Sequence, residues 1–249
     1  MSLVCYSETM VGSVKLNEIR TRPWFDIKGM PNWQRIKSVM QRMGIEIFSQ
    51  HYTTSGKLMT SDSHLKRLIV MVPENEINAL SVKIELDRQG KVTAEFPLEH
   101  VQKVEDYLME RDGFFYALRS SLDSFFWEIN LFFGLGISSR GMSYRRVRER
   151  MHEKGYCAKE TTILLEKLKY EHWFKYLGDT RNELTHHTSS ELVTFTDDYK
   201  IYLPSDPLKS QYKREERYEV PKCLKDLRDR TVEFLENGYN AIWNDSQTS

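Results

Sequence analysis

The sequence predicts a mainly α-helical protein with a smaller α+β part at its N-terminal side, and three observations carry that reading. From Val101 to Phe132, apolar residues recur every three or four positions over about nine helical turns. Two more stripes, Leu164 to Leu184 and Leu224 to Ile242, keep the same rhythm. By contrast, residues 82–86 and 92–96 alternate apolar with polar, the period of a strand. Stripes of that kind bury one another. Residues 97–249 are therefore expected to form an up-and-down four-helix bundle with an inserted β-hairpin, and residues 1–96 a separate α+β region.

Taken in order, residues 1–30 show no clear period. Asn32 suits the N-cap of a helix whose apolar side is Trp33, Ile36, Met40, Met43 and Ile47. Residues 52–63 are polar and read as a loop, and Leu65–Val72 reads as a strand. Asp87-Arg88-Gln89-Gly90 supplies the turn between the two alternating runs. Pro97 marks the change to helical period. The long helix that follows has Gly113 as a candidate kink and ends at Gly134 and Gly136. Ser143–Lys154 reads as a basic helix stopped by Gly155. Ala158 opens a third helix on Leu164, Leu168, Trp173, Leu177 and Leu184. Residues 191–203 alternate again as the inserted hairpin, and residues 204–219 form a polar connection. Pro221 begins the last helix, lined by Leu224, Leu227, Leu235, Tyr239 and Ile242.

Composition narrows the function classes. Lys+Arg and Asp+Glu are both 36, so no global field draws the chain to nucleic acid, and RNA binding needs a local patch. Cys5, Cys157 and Cys223 form no C-x-x-C pair, which argues against a cysteine-type zinc site and suits a reducing cytoplasm. His51, His64, His100, His152 and His172 lack metal-ligand spacing, so neither metal nor cofactor is expected. There is no glycine-rich phosphate loop and no G-x-S-x-G elbow. The long apolar stretches are interrupted by Glu128 and Asn130, so a membrane span is not expected.

The segment that carries chemistry is Arg181-Asn182-Glu183-Leu184-Thr185-His186. A guanidinium stabilises phosphate charge with a fork of donors, and an imidazole moves protons near neutral pH. On a helix, Asn182 and His186 are one step of four apart and share a face, while Arg181 and His186 stand roughly 140° apart. The two would flank a cleft without touching. The same residues also fit a plainer role, with Arg181 pairing Asp179 or Glu183 and His186 closing the helix. His187 is either an auxiliary to His186 or a polar helix end. Asp123, four residues after Arg119, either holds Arg181 or forms an ordinary pair with Arg119. Arg145 and Arg148, in the basic run from Arg140 to Lys154, either track a phosphate backbone or make a solvated face.

The R-N-x-x-x-H pattern, after an apolar helix and before a break, resembles the HEPN superfamily of helical-bundle ribonucleases. The resemblance covers roughly residues 97–245. It implies a metal-independent endoribonuclease in which the RNA 2′-hydroxyl attacks the neighbouring phosphodiester. His186 would be the general base or acid, Arg181 would stabilise charge on phosphorus, and Asn182 would orient the phosphate or the catalytic pair. It also implies a homodimer, RNA as substrate, defence or toxin–antitoxin biology, and an antitoxin or regulatory protein as partner. The alternative is a non-catalytic module of the same fold that binds a nucleotide, RNA or protein partner.

Overall fold

The computed structural model describes residues 48–71, 98–186 and 218–247, with short strand segments at 10–11, 14–15, 83–86, 92–95, 194–195 and 201–203. Six α-helices dominate the described residues: α1 Phe48–Met71, α2 Leu98–Phe132, α3 Tyr144–Glu153, α4 Glu160–Leu168, α5 His172–His186 and α6 Val220–Gln247. The strands are two to four residues long; Lys83–Leu86, for example, pairs antiparallel with Val92–Glu95 in the register Leu86↔Val92. The expected helix beginning at Trp33 lies outside the described residues. No described helix is long and apolar enough to cross a membrane.

The first correction concerns residues 52–72. They were expected as a loop and a strand, and residues 48–71 form one helix of 24 residues. Its buried side explains the misreading. Thr54, Leu58, Ser61, Asp62, Leu65, Leu68 and Ile69 are buried at helical spacing, but three of the seven are polar. A hydrophobicity pattern sees no stripe there. Each polar group has a partner that makes its burial tolerable. The Thr54 hydroxyl donates to Glu128 of α2, the Ser61 hydroxyl to the Leu58 carbonyl, and Asp62 accepts from Arg228 of α6.

Helix α2 is the spine, packed by α1, α3, α5 and α6. Its 35 residues make a rod of roughly 52 Å at 1.5 Å per residue. It runs unbroken through Gly113. That glycine serves close approach: a Cβ there would stand 2.4 Å from the His64 ring of α1. The helix ends just before Gly134 and Gly136, both at positive φ. Buried Asn130 then clamps the following loop, accepting from the Ile137 N–H at 2.9 Å and donating to its carbonyl at 3.2 Å.

Helix α3 begins at the Ser143 cap, which accepts from the Arg146 N–H, and stops at Gly155. The stop is a Schellman motif. Gly155, at φ +77°, donates to His152 O, and Tyr156 donates to Met151 O, both at 2.9 Å. The left-handed residue reverses the chain sharply.

A second correction falls on residues 158–186, expected as one helix and found as α4 and α5. Residues 169–171 close α4 with i→i+3 bonds from Tyr170 to Lys167 and from Glu171 to Leu168. The apolar residues demand the break. In an unbroken helix Leu165 and Phe174 would lie roughly 180° apart. Both are buried in the one core. No glycine or proline marks the break.

The core is continuous. Leu58, Leu65, Leu68 and Ile69 of α1 join Phe115, Leu118, Leu122 and Phe125 of α2, Trp173 and Leu177 of α5, and Leu224, Leu227 and Leu235 of α6. At the far end of α6, buried Asp245 accepts from the Glu160 and Thr161 N–H groups at 2.9 and 3.0 Å. It satisfies the first turn of α4, whose own N-cap, Lys159, makes no side-chain cap bond.

Candidate functional site

Helix α5 continues in helical conformation to His186, so Arg181, Asn182 and His186 do share one helix. Arg181 and Asn182 are exposed. The His186 side chain and all of His187 lie outside the described residues.

Phe174, Gly178 and Arg181 follow one another at steps of four and three, which puts them on one side of α5. Arg119 of α2 lies against that side. Its guanidinium carbon sits 4.7 Å from the centre of the Phe174 ring. Its Nη1 comes within 3.7 Å of where a Cβ on Gly178 would stand. Phe174 is fixed in turn by Tyr144 of α3 and Phe126 of α2, with ring centres 5.0 and 6.1 Å away. The small residue and the braced ring make a slot for the Arg119 side chain.

Asp123 pairs with Arg119 at 3.3 Å, one turn along α2. Three influences act on the Arg119 guanidinium. Burial holds it below its ordinary value, Asp123 pulls it back up, and the charge of Arg181 pushes it down again. Two arginines from different helices are thus near enough to repel, with a carboxylate beside one of them. Concentrated positive charge suits an anion such as phosphate.

Of the residues singled out from sequence, Asp123 pairs with Arg119, and Arg119 in turn feels the charge of Arg181. Arg145 and Arg148 are engaged elsewhere. Arg145 is 81% exposed and pairs with Glu149 at 2.7 Å, and Arg148 pairs with Glu166 of α4 at 3.3 Å. Arg150 pairs with Glu153. Much of the basic run on α3 therefore has carboxylates beside it, and none of its described pairs reaches α5. In the sequence Arg119 stands out only as the partner of Asp123. The available signal was Gly178 set between Phe174 and Arg181, a gap on an otherwise bulky helix side.

Comparison with protein-family models, characterised proteins and solved structures gives no match.

Proposed function

We propose that the chain is a metal-independent endoribonuclease of the HEPN type, with its catalytic segment at the C-terminal end of α5. The observation that carries this reading is the Arg119–Arg181 proximity beside the Arg-Asn-x-x-x-His segment. A phosphodiester seated between the two guanidinium groups would have its developing negative charge met from two sides. Asn182, next to Arg181, orients the phosphate. His186, one turn further on, takes the proton of the RNA 2′-hydroxyl or returns one to the leaving 5′-oxygen. The products carry a 2′,3′-cyclic phosphate and a 5′-hydroxyl.

In the same reading α2 to α6 make a HEPN-like bundle, with α4 and α5 together in the place of one of its four helices and the inserted hairpin before α6, and residues 1–96 form the second part of the molecule. The active form is a cytoplasmic homodimer whose two α5 ends face one RNA, under the control of an antitoxin or regulatory protein. Arg145 and Arg148 bind flanking phosphates, Asp123 positions the arginines, and His187 assists at the helix end.

Incubation of the purified protein with mixed RNA in EDTA is the test. Cleavage should fall by about 10²-fold or more in His186→Ala and Arg181→Ala. RNA binding with no cleavage in wild type would favour the non-catalytic module. Equal cleavage by wild type and both variants would end the reading.

A further inference from the structure

The Schellman turn at Gly155 has a second effect: it folds Cys157 back over the last turn of α3. There the Cys157 Sγ lies 3.1 Å from His152 Nδ1. The opposite ring nitrogen, His152 Nε2, lies 2.8 Å from Glu166 Oε1 on α4. Cys157 is exposed, and the His152 side chain is 45% exposed. Three groups from three segments stand in line as thiol, imidazole and carboxylate.

We propose that Cys157, His152 and Glu166 form a reactive-thiol site that exchanges with small anionic disulfides. The proposal is independent of the ribonuclease reading, and none of its residues contacts Arg119 or Arg181 in the described interactions.

The carboxylate fixes the tautomer. With Nε2–H donating to Glu166, Nδ1 presents its lone pair to the thiol and can take its proton. His152 also sits in the last turn of α3, where the helix dipole favours a cation. An imidazolium beside sulfur stabilises the thiolate, which is the nucleophile. The charged groups facing the ring are Glu166 from α4 and, through that carboxylate at 3.3 Å, Arg148 from α3. The two imidazole nitrogens point to different partners, so the trio is a relay and not a set of metal ligands.

The kind of electrophile follows from the surroundings. Attack on an acyl carbon would need donors for a developing oxyanion and a cleft to hold the substrate. The nearby cleft, lined by Glu160, Ile163, Lys167, Trp243 and Asn244, does not include Cys157. A disulfide needs neither, because the charge leaves on sulfur. Lys154, at the C-cap of α3, flanks the site in sequence and favours a carboxylate on the incoming molecule, whereas Lys159 donates to the Asp245 carbonyl. In the step, His152 Nδ1 takes the Cys157 proton and the thiolate attacks one sulfur of the disulfide. A new S–S bond forms as the old one breaks. The departing thiolate receives the proton from Nδ1. Cys157 is oxidised to a mixed disulfide, and one equivalent of small thiol is released.

The test uses the full chain with two probes, iodoacetamide and oxidised glutathione, and follows Cys157 by peptide mass spectrometry. At pH 6.5 folded wild type should alkylate at Cys157 on the order of ten-fold faster than the urea-unfolded chain. His152→Ala, with an unchanged helical circular dichroism spectrum, should lose that advantage at pH 6.5 and match wild type near pH 10. Glu166→Gln should fall between them. Oxidised glutathione should add one glutathionyl group at Cys157 and none at buried Cys223. A wild-type rate no faster than the unfolded chain, or no effect of His152→Ala, overturns the activated thiol. Fast alkylation without glutathionylation overturns the disulfide as its substrate.

Discussion

Arg228 of α6 holds Asp62 of α1 through two parallel hydrogen bonds, Nε to Oδ1 at 2.8 Å and Nη2 to Oδ2 at 3.1 Å, with both side chains 3% exposed. A third donor, Nη1, goes to Asp229 at 3.0 Å. The pair ties two helices 166 positions apart in sequence. Buried charge is costly, and its mutual attraction roughly offsets desolvation; what the pair cannot survive is the loss of one member. Asp62→Ala or Arg228→Ala should each cost about 3–5 kcal/mol in urea unfolding. Asp62→Leu with Arg228→Met should recover most of that loss. Additive costs in the double variant would contradict this account.

Gly113→Ala offers a test with a sign change. The added methyl would meet the His64 ring at 2.4 Å, and that ring is held by Glu110 at 2.6 Å. Overpacking should outweigh the helix-propensity gain, for a net loss of about 1 kcal/mol. In a His64→Ala background the same change should stabilise by roughly 0.5–1 kcal/mol. Thermal melts of the four proteins complete the cycle, and a stabilising effect in both backgrounds would refute the packing explanation.

Glu110 carries a pH prediction. Burial pushes its carboxyl up, but hydrogen bonds from Arg67 and His64 outweigh this and leave it below the usual carboxylate range. A depressed folded value gives stability that is complete above the unfolded value, near 4.3, and is lost as pH falls through the folded one. Glu110→Gln should therefore be less stable than wild type by about 0.5–1 kcal/mol at pH 7. The gap should close as pH falls through the depressed folded value. Denaturation midpoints at pH 7, 5 and 3.5 decide it; a gap independent of pH would show that charge is not the cause.

Arg119→Ala should weaken RNA cleavage or RNA affinity by about ten-fold or more, because it removes one of the two positive charges that act on each other there. Arg119→Lys should recover only part, since it restores charge without the planar fork or the stacking on Phe174. Full recovery by lysine would mean that only local charge matters.

Truncation addresses how far the core extends. A fragment of residues 97–249 lacks Leu58, Leu65, Leu68 and Ile69 and leaves Arg228 without Asp62. It should be much less stable than residues 48–249 in urea unfolding. Equal stability would make α1 a dispensable attachment.

What the sequence revealed depended on how purely apolar each buried side is. Helix α2 was legible from end to end because Phe115, Leu118, Leu122, Phe125 and Ile129 leave no doubt about its period. Helix α6 was legible because Leu224, Leu227, Leu235, Tyr239 and Ile242 keep the period although Arg228, Thr231 and Asp245 are buried among them. Helix α1 was not, because Thr54, Ser61 and Asp62 occupy its buried side, Ser61 bonding back to the Leu58 carbonyl and the other two finding partners on distant helices. The break between α4 and α5 carries no glycine or proline and is set by where Leu165 and Phe174 must point. At the candidate site the motif on α5 was visible, whereas Arg119 depends on a contact between helices that no local pattern encodes. Cys157 and His152 looked isolated because their meeting depends on the direction of one turn.

Asp245 caps α4 across 85 positions of sequence. That arrangement has a consequence for biosynthesis. The first turn of α4 keeps unsatisfied N–H groups until residue 245 has been made and has left the ribosome. Helices α2 and α3 and the Schellman turn at Gly155 can settle while the chain is still growing, but the first turn of α4 must wait for its cap. A ribosome stalled before that point would hold a nascent chain whose α4 begins without its cap.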